Sequence, residues 1–201
     1  MLMASAVDHL EKKYAADINV AVAYIYCNYK ERGQHTTHNL KKSILSQIYR
    51  YQPAAGGSTN DPIQELYERH TRRATQLSSV EVDDAFKRII PLYSQIFILV
   101  DAVDELHDDE QCIFLSFLAE LTKSFPRIIK LMAMSRSFLS DLQASDRMTT
   151  SRMEVVAQEC DVKEYIKEKL GMRPRLLRLV KIDPTLASEI IERITNRYGG
   201  M

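Results

Sequence analysis

The sequence has no net charge, no long apolar run and no basic leader. Lys plus Arg and Asp plus Glu each number 27, so electrostatics gives no support for a nucleic-acid or anionic-membrane partner. No apolar run approaches the roughly 18 residues that a membrane-spanning helix needs. The start, Met1 to Ala6, lacks the basic region of a signal peptide. These absences predict a cytoplasmic protein with no nucleic-acid and no membrane partner.

The chain is also poor in residues that build disulfide or zinc sites. Cys27, Cys112 and Cys160 are odd in number and widely spaced, which favours neither a disulfide framework nor a zinc ligand set. Cys112 has apolar neighbours in the sequence, so we expect it in the core. His35 and His38 have a spacing that could suit a metal, but no further ligand completes a site. We expect them to be a surface pair.

The remaining pattern is that of an α/β protein. The 201 residues are 45% hydrophobic and 27% charged, which is typical of a soluble chain with a sizeable core. Apolar, β-branched runs predict strands near residues 22, 98, 131 and 155, with helical periodicity between them. This alternation predicts a parallel sheet with helices on both faces. Helix starts are predicted by the residues Thr37, Asp61, Ser78 or Ser79, Asp161 and Pro184.

The most informative stretch is Ile96 to Glu105. Five apolar residues end in Asp101, and Asp104 and Glu105 follow three and four positions later. A buried strand whose carboxyl end opens into a nucleotide site places acids there, because magnesium prefers hard oxygen ligands and an attacking water needs a carboxylate. This is the Walker B pattern. Ser135-Arg136 follows the next predicted strand and would lie at the same edge of the sheet.

The usual companion of that pattern is missing from the sequence. A Gly-Lys-Ser/Thr loop supplies backbone amides and a lysine to the phosphates of a nucleotide. Here no glycine is followed by lysine. The acids therefore occur without a phosphate-binding loop.

Two segments, Ala23 to Lys30 and Phe97 to Leu106, resemble fungal NACHT-type NTPases and, more narrowly, the nephrocystin-3-like N-terminal NTPase domain. Met134 to Arg136 and Asp161 to Ile166 are similar to the same family, so the resemblance covers nearly the whole chain. It implies a signal-transducing P-loop NTPase of the STAND class. Such a protein binds ATP or GTP with Mg²⁺ and associates with protein partners or with itself.

The resemblance also implies roles for individual residues. Asp101 would hold the magnesium ion, and Asp104 and Glu105 would be catalytic, positioning or activating the attacking water. Ser135 and Arg136 would contact the nucleotide, with Arg136 sensing its terminal phosphate or a neighbouring subunit.

Relative to this family, the sequence departs from the pattern at both ends. We expect a fragment that begins after the Walker A loop, with a partial NTPase core over residues 1–158 and the truncated start of a helical subdomain over 159–201. The first strand of the fold would be missing. The strands near residues 131 and 155 would then have unpaired edges, and we expect a poorly stable, association-prone chain.

Three interpretations remain open at this stage. The chain is the core of an NTPase that is active only in a longer protein, or it is a non-enzymatic remnant acting through protein association. The third interpretation is an unrelated α/β binding module whose acids are structural. We expect the 201 residues alone to be catalytically inactive.

Overall fold

The computed structural model describes residues 2–31, 33–51, 62–73, 75–136, 151–155, 158–183 and 185–197. The chain divides into two compact units, Met1–Thr150 and Ser151–Met201. The assignment of an NTPase core to 1–158 and of a helical subdomain to 159–201 stays a prediction.

In the residues that the structure describes, the first unit is built on a three-stranded parallel sheet. Its strands are β1 (Val20–Tyr26), β2 (Gln95–Asp101) and β3 (Ile129–Ala133), in the order β1-β2-β3. β2 is the central strand, and its residues are almost all apolar because both of its faces are covered. The strands predicted near residues 22, 98 and 131 are thus confirmed.

Five helices accompany this sheet in the described part of the first unit. They are α1 (Leu2–Lys13), α2 (Thr37–Arg50), α3 (Pro62–Arg73), α4 (Ser79–Ile89) and α5 (Asp108–Ser124). Ser78 caps α4 and forms a capping box with Glu81. The predicted start of α2 at Thr37 is confirmed, with Thr36 as its N-cap. The predicted cap of α3, Asp61, lies outside the described residues. None of the described helices is both long and apolar enough to cross a membrane.

The apolar residues form two clusters, one on each face of the sheet. Ile98 and Val100 of β2 belong to the larger cluster, which also includes residues of α2, α4 and α5. Leu99, between them, belongs to the smaller cluster together with Met3 and Val7 of α1. This alternation follows from the two-residue period of a strand. The predicted α/β architecture, a parallel sheet with helices on both faces, is confirmed.

The described residues of the second unit form three helices. They are α6 (Glu159–Gly171), α7 (Pro174–Ile182) and α8 (Thr185–Arg197), and α6 contacts both of the others. Asp161 was predicted to cap α6, but the helix begins two residues earlier, with Gln158 at the N-cap. The Asp161 carboxylate instead lies in the first turn, where an acid also interacts favourably with the helix dipole.

The strand predicted near residue 155 is wrong for the part that the structure describes. Residues 151–155 have no regular secondary structure, and the side chains of Met153 and Val155 are 80% and 60% exposed. A short apolar run forms a strand only where a neighbouring strand takes its backbone hydrogen bonds. No neighbouring strand is found for this segment among the described residues.

The expected burial of Cys112 is also wrong. Cys112 is exposed, as is Cys160, whereas Cys27 at the end of β1 is buried. The buried residues of α5 are Phe114, Leu115, Leu118 and Leu121. At 100° per residue, Cys112 points away from the face that these residues define.

Candidate functional site

The carboxyl ends of the three strands meet at one edge of the sheet and are joined there by main-chain hydrogen bonds. The Cys27 N–H donates to the Asp101 carbonyl oxygen at 3.1 Å. The Met134 N–H donates to Val100 at 2.8 Å, and the Val103 N–H donates to Met134 at 3.0 Å. The predicted site residues after β2 and β3 are therefore held against each other by the backbone.

The chain leaves β2 through a strained residue. Ala102 has φ of 52°, and it is the one non-glycine residue with positive φ in the described ranges. Val103 follows in a short 3-10 turn that ends at Glu105, and its side chain is fully buried. Because the left-handed residue redirects the chain at this point, Val103 enters the core while Asp101, Asp104 and Glu105 stay at the rim.

Asp104 forms a two-point ion pair with Arg136. The Arg136 side chain donates from Nε to Asp104 Oδ2 at 2.7 Å, and its backbone N–H donates to Oδ1 at 3.2 Å. The Asp104 side chain is 13% exposed and that of Arg136 is 72% exposed. Partial burial raises the pKa of Asp104, but the hydrogen bonds from Arg136 outweigh it and hold that pKa below its usual value.

Glu105 links the other two loops to the same arginine. Its Oε2 accepts a hydrogen bond from the backbone N–H of Tyr29 at 3.0 Å, and its Oε1 lies 3.8 Å from Nη2 of Arg136. Glu105 and Asp104 together connect the segments that follow β1, β2 and β3. Both residues predicted to be catalytic therefore have protein partners in this structure.

Asp101 differs from these two acids. It is half-buried at the end of the central strand, and its carboxylate makes no hydrogen bond or ion pair with a described residue. The charge of Asp101 acts on the neighbouring thiol of Cys27. Burial, followed by the charges of Asp101, Glu105 and Asp104, raises the pKa of the Cys27 thiol to about 12. Among the described residues, three carboxylates thus lie at this edge of the sheet, and that of Asp101 has no hydrogen-bond or ion-pair partner there.

The geometry allows only certain kinds of metal binding. Within the described residues, no group of three His, Cys, Asp or Glu side chains is placed to hold a metal ion. A site made entirely of protein ligands, such as a structural zinc site, does not fit. Mg²⁺ bound through one carboxylate, with phosphate and water oxygens completing its shell, does fit Asp101.

Sequence reasoning missed the contacts that the loop after β1 makes. The Asn28 N–H donates to Nδ1 of His35 at 3.3 Å, and Nε2 of His35 lies 3.4 Å from a Glu31 carboxylate oxygen. His35 is thus partly buried and bonded to this loop, which corrects the expectation of a surface pair. Nearby, the Thr37 N–H and hydroxyl donate to Glu110. The position of Asn28 and Tyr29 directly after a predicted strand was the available signal.

Comparison with known proteins adds a family to this geometry. The family model described as Nephrocystin 3, N-terminal, matches residues 1–136 of this chain. The chain belongs to this family. The part that matches the nephrocystin 3 N-terminal family runs from α1 to Arg136, so it includes all five predicted site residues. The family assignment and the parallel sheet agree with a P-loop NTPase-like architecture.

Two solved structures show a similar arrangement at low identity. One is the Aeropyrum pernix ORC1 protein in complex with DNA, with 16% identity, a TM-score of 0.48, and a match covering 83% of this chain and 38% of that one. The other is the Walker-type ATPase PABY2304 of Pyrococcus abyssi, with 18% identity, a TM-score of 0.44, and coverage of 80% and 51%. This chain thus spans about two fifths and about half of those two proteins. Among curated proteins, none matches it.

Proposed function

We propose that this chain is part of a nucleotide-binding, NTPase-type domain of the NACHT (STAND) class, in which Asp101 holds Mg²⁺ in complex with ATP or GTP. The observation that carries this proposal is the Asp101 carboxylate. It ends the central strand of a parallel sheet and has no protein partner among the described residues. Ligands of open parallel sheets bind at this end of the strands.

The chemistry of the edge suits a magnesium–phosphate ligand. Magnesium neutralises phosphate charge when it is bound, and a carboxylate is the protein ligand that it prefers. Arg136, with Ser135 beside it, follows the adjacent strand and offers a guanidinium that can pair with a phosphate oxygen. In this proposal Ser135 and Arg136 contact the nucleotide while Asp101 holds the ion.

The proposed catalytic roles of Asp104 and Glu105 require a rearrangement. A general base must be free to accept a proton from water within hydrogen-bond reach. Asp104 is engaged by Arg136, and Glu105 by the Tyr29 N–H. We therefore assign the observed arrangement to a resting state, in which these two carboxylates are not available to water.

A second candidate function is protein association without hydrolysis. It is favoured by the absence of a Gly-Lys-Ser/Thr loop from the 201 residues, because that loop would supply most of the triphosphate affinity. In this case the domain would act in signalling through its contacts with partner proteins or with further copies of itself. The two candidates differ in whether magnesium strengthens nucleotide binding.

The deciding experiment is a titration of fluorescent ATP and GTP analogues with and without Mg²⁺. We expect weak, Mg²⁺-dependent binding, and about a 10- to 100-fold loss in Asp101→Asn, since a charge-assisted contact is removed. Asp109→Asn is the matched control, because it removes an exposed carboxylate from the start of α5. Binding that Mg²⁺ does not change, or an equal loss in both variants, would contradict the magnesium role of Asp101.

A further inference from the structure

We propose that Arg136 forms an oxyanion-binding site that the protein's own Asp104 carboxylate occupies, so that a phosphate group reaches Arg136 only by displacing Asp104. The identity of the natural ligand, a nucleotide phosphate, rests on the proposed function. The exchange itself rests on the geometry of the Asp104–Arg136 pair.

The Asp104–Arg136 pair is held at two points. Both Asp104 oxygens are bound, one by Nε and one by the backbone N–H of Arg136. The two donors, one from the guanidinium and one from the backbone, are groups to which phosphate oxygens also bind. The Asp104 carboxylate therefore takes the place of an oxyanion at the end of β3.

The Arg136 guanidinium is accessible to a ligand from solvent. The Arg136 side chain is mostly exposed, whereas Asp104 approaches it from the partly buried side. Nη2 of the guanidinium lies 3.8 Å from Oε1 of Glu105, which is longer than a hydrogen bond. A ligand can therefore meet the outer side of the guanidinium before the pair with Asp104 opens.

Separation of the Asp104–Arg136 pair would change the contacts of two loops. Displacement of Asp104 frees the side chain of a predicted catalytic acid together with two donors of Arg136. Asp104 and Glu105 share one 3-10 turn, and Glu105 holds the Tyr29 N–H. A ligand that takes Arg136 would thus alter the contacts of the turn after β2 and of the loop after β1.

This exchange predicts an unusual sign for one substitution. If Asp104 competes with the ligand, its removal strengthens oxyanion binding. If Asp104 only helps to bind or cleave a ligand, its removal weakens binding or leaves it unchanged. We expect Asp104→Asn to increase the affinity for an oxyanion about 10-fold, because one charge-assisted contact no longer opposes it.

The test is a titration of the full chain with inorganic pyrophosphate in the absence of magnesium. Binding is monitored through the NMR signals of the Arg136 Nε–H and backbone N–H. Wild type should bind pyrophosphate weakly, and Asp104→Asn should bind it about 10-fold more tightly. The double variant Asp104→Asn/Arg136→Gln should lose this increase in affinity. Asp109→Asn should behave as wild type. The proposal is overturned if Asp104→Asn binds no more tightly than wild type, or if the gain survives in the double variant.

A second readout covers the case in which Asp104→Asn does not fold. In wild type, pyrophosphate should shift the Arg136 Nε–H and the Asp104 carboxyl carbon at the same concentrations, and a shift of Arg136 alone would overturn the exchange. Absence of Mg²⁺-dependent nucleotide binding would contradict the proposed function but not this exchange. Failure of the pyrophosphate test would contradict the exchange but not the proposed function.

Discussion

The side-chain amide of Gln47 pairs with both main-chain polar groups of Tyr24. The Tyr24 N–H donates to Gln47 Oε1 at 3.0 Å, and Gln47 Nε2 donates to the Tyr24 carbonyl oxygen at 2.9 Å. Tyr24 lies in β1, an outer strand of the described sheet, and Gln47 lies in α2. The glutamine thus replaces a neighbouring strand and closes part of the outer edge of β1.

Replacing Gln47 by Leu should therefore destabilise the protein and expose this edge. The loss of both hydrogen bonds to partly buried backbone groups should cost about 1–3 kcal/mol. Urea unfolding followed by circular dichroism measures the cost, and size-exclusion chromatography detects the self-association that an open edge favours. Gln111→Leu on α5 is the matched control. Equal midpoints for the two variants would show that the Gln47 contacts contribute nothing.

The backbone strain at Ala102 gives a second prediction. Ala102→Gly should leave stability unchanged or raise it, because glycine adopts positive φ without steric cost. Ala119→Gly in the middle of α5 should instead lose about 1 kcal/mol, the usual cost of glycine in a helix. Thermal unfolding of both variants tests the contrast. A clear loss in Ala102→Gly would mean that packing of the methyl group, rather than backbone strain, dominates at this position.

The three cysteines should differ sharply in reactivity. Cys112 and Cys160 are exposed, whereas burial raises the pKa of Cys27 to about 12 and nearby carboxylates oppose its thiolate. A disulfide reagent at neutral pH should therefore modify two thiols quickly in the native protein and the third only after unfolding. Mass spectrometry of the peptides identifies them. Rapid native labelling of Cys27 would contradict the buried environment described here.

The capping box of α4 predicts a loss of stability in acid. Hydrogen bonds from the Ser78 backbone and hydroxyl, followed by His70, lower the pKa of Glu81 from 4.5 to about 2. Because the folded pKa is depressed, this contribution is present above pH 4.5 and is lost as pH falls toward about 2. Glu81→Gln should remove that part of the pH dependence, while Glu120→Gln on the surface of α5 should keep it. Urea midpoints measured across this pH window give the comparison.

The fold was predictable where one local pattern decided it. Val20 to Tyr26 and Ile96 to Val100 are apolar runs long enough to be strands, and Ser78 followed by Glu81 marks a helix start. The prediction of a strand near residue 155 was wrong because a strand also needs a neighbouring strand, and the local sequence does not show whether one is present. The predicted burial of Cys112 was wrong because it relied on apolar neighbours in the sequence rather than on the helical period. That period places Cys112 opposite Phe114.

The candidate site was predictable only as a set of residues at one edge. Val100 of β2 pairs with Ala133 of β3 in parallel, so residues that follow these two strands lie at the same end of the sheet, and the sequence sufficed to group them there. The partners of Asp104 and Glu105 depend on the turn at Ala102 and on the loop carrying Tyr29. Such contacts join segments 32 and 76 residues apart and have no periodic signature. That Asp104 and Glu105 are engaged, while Asp101 has no partner within the described part of the chain, could therefore be known only from the structure.

The measurement that tests the central claim most directly is paramagnetic broadening of backbone NMR signals by Mn²⁺ with ATP. Mn²⁺ also binds hard oxygen ligands, so it should occupy the site proposed for Mg²⁺. The account predicts selective broadening of Asp101, Ala102 and Ser135 in the presence of both ATP and Mn²⁺, and its loss in Asp101→Asn. Broadening centred elsewhere, such as on Asp108 and Asp109, or unchanged in Asp101→Asn, would contradict it.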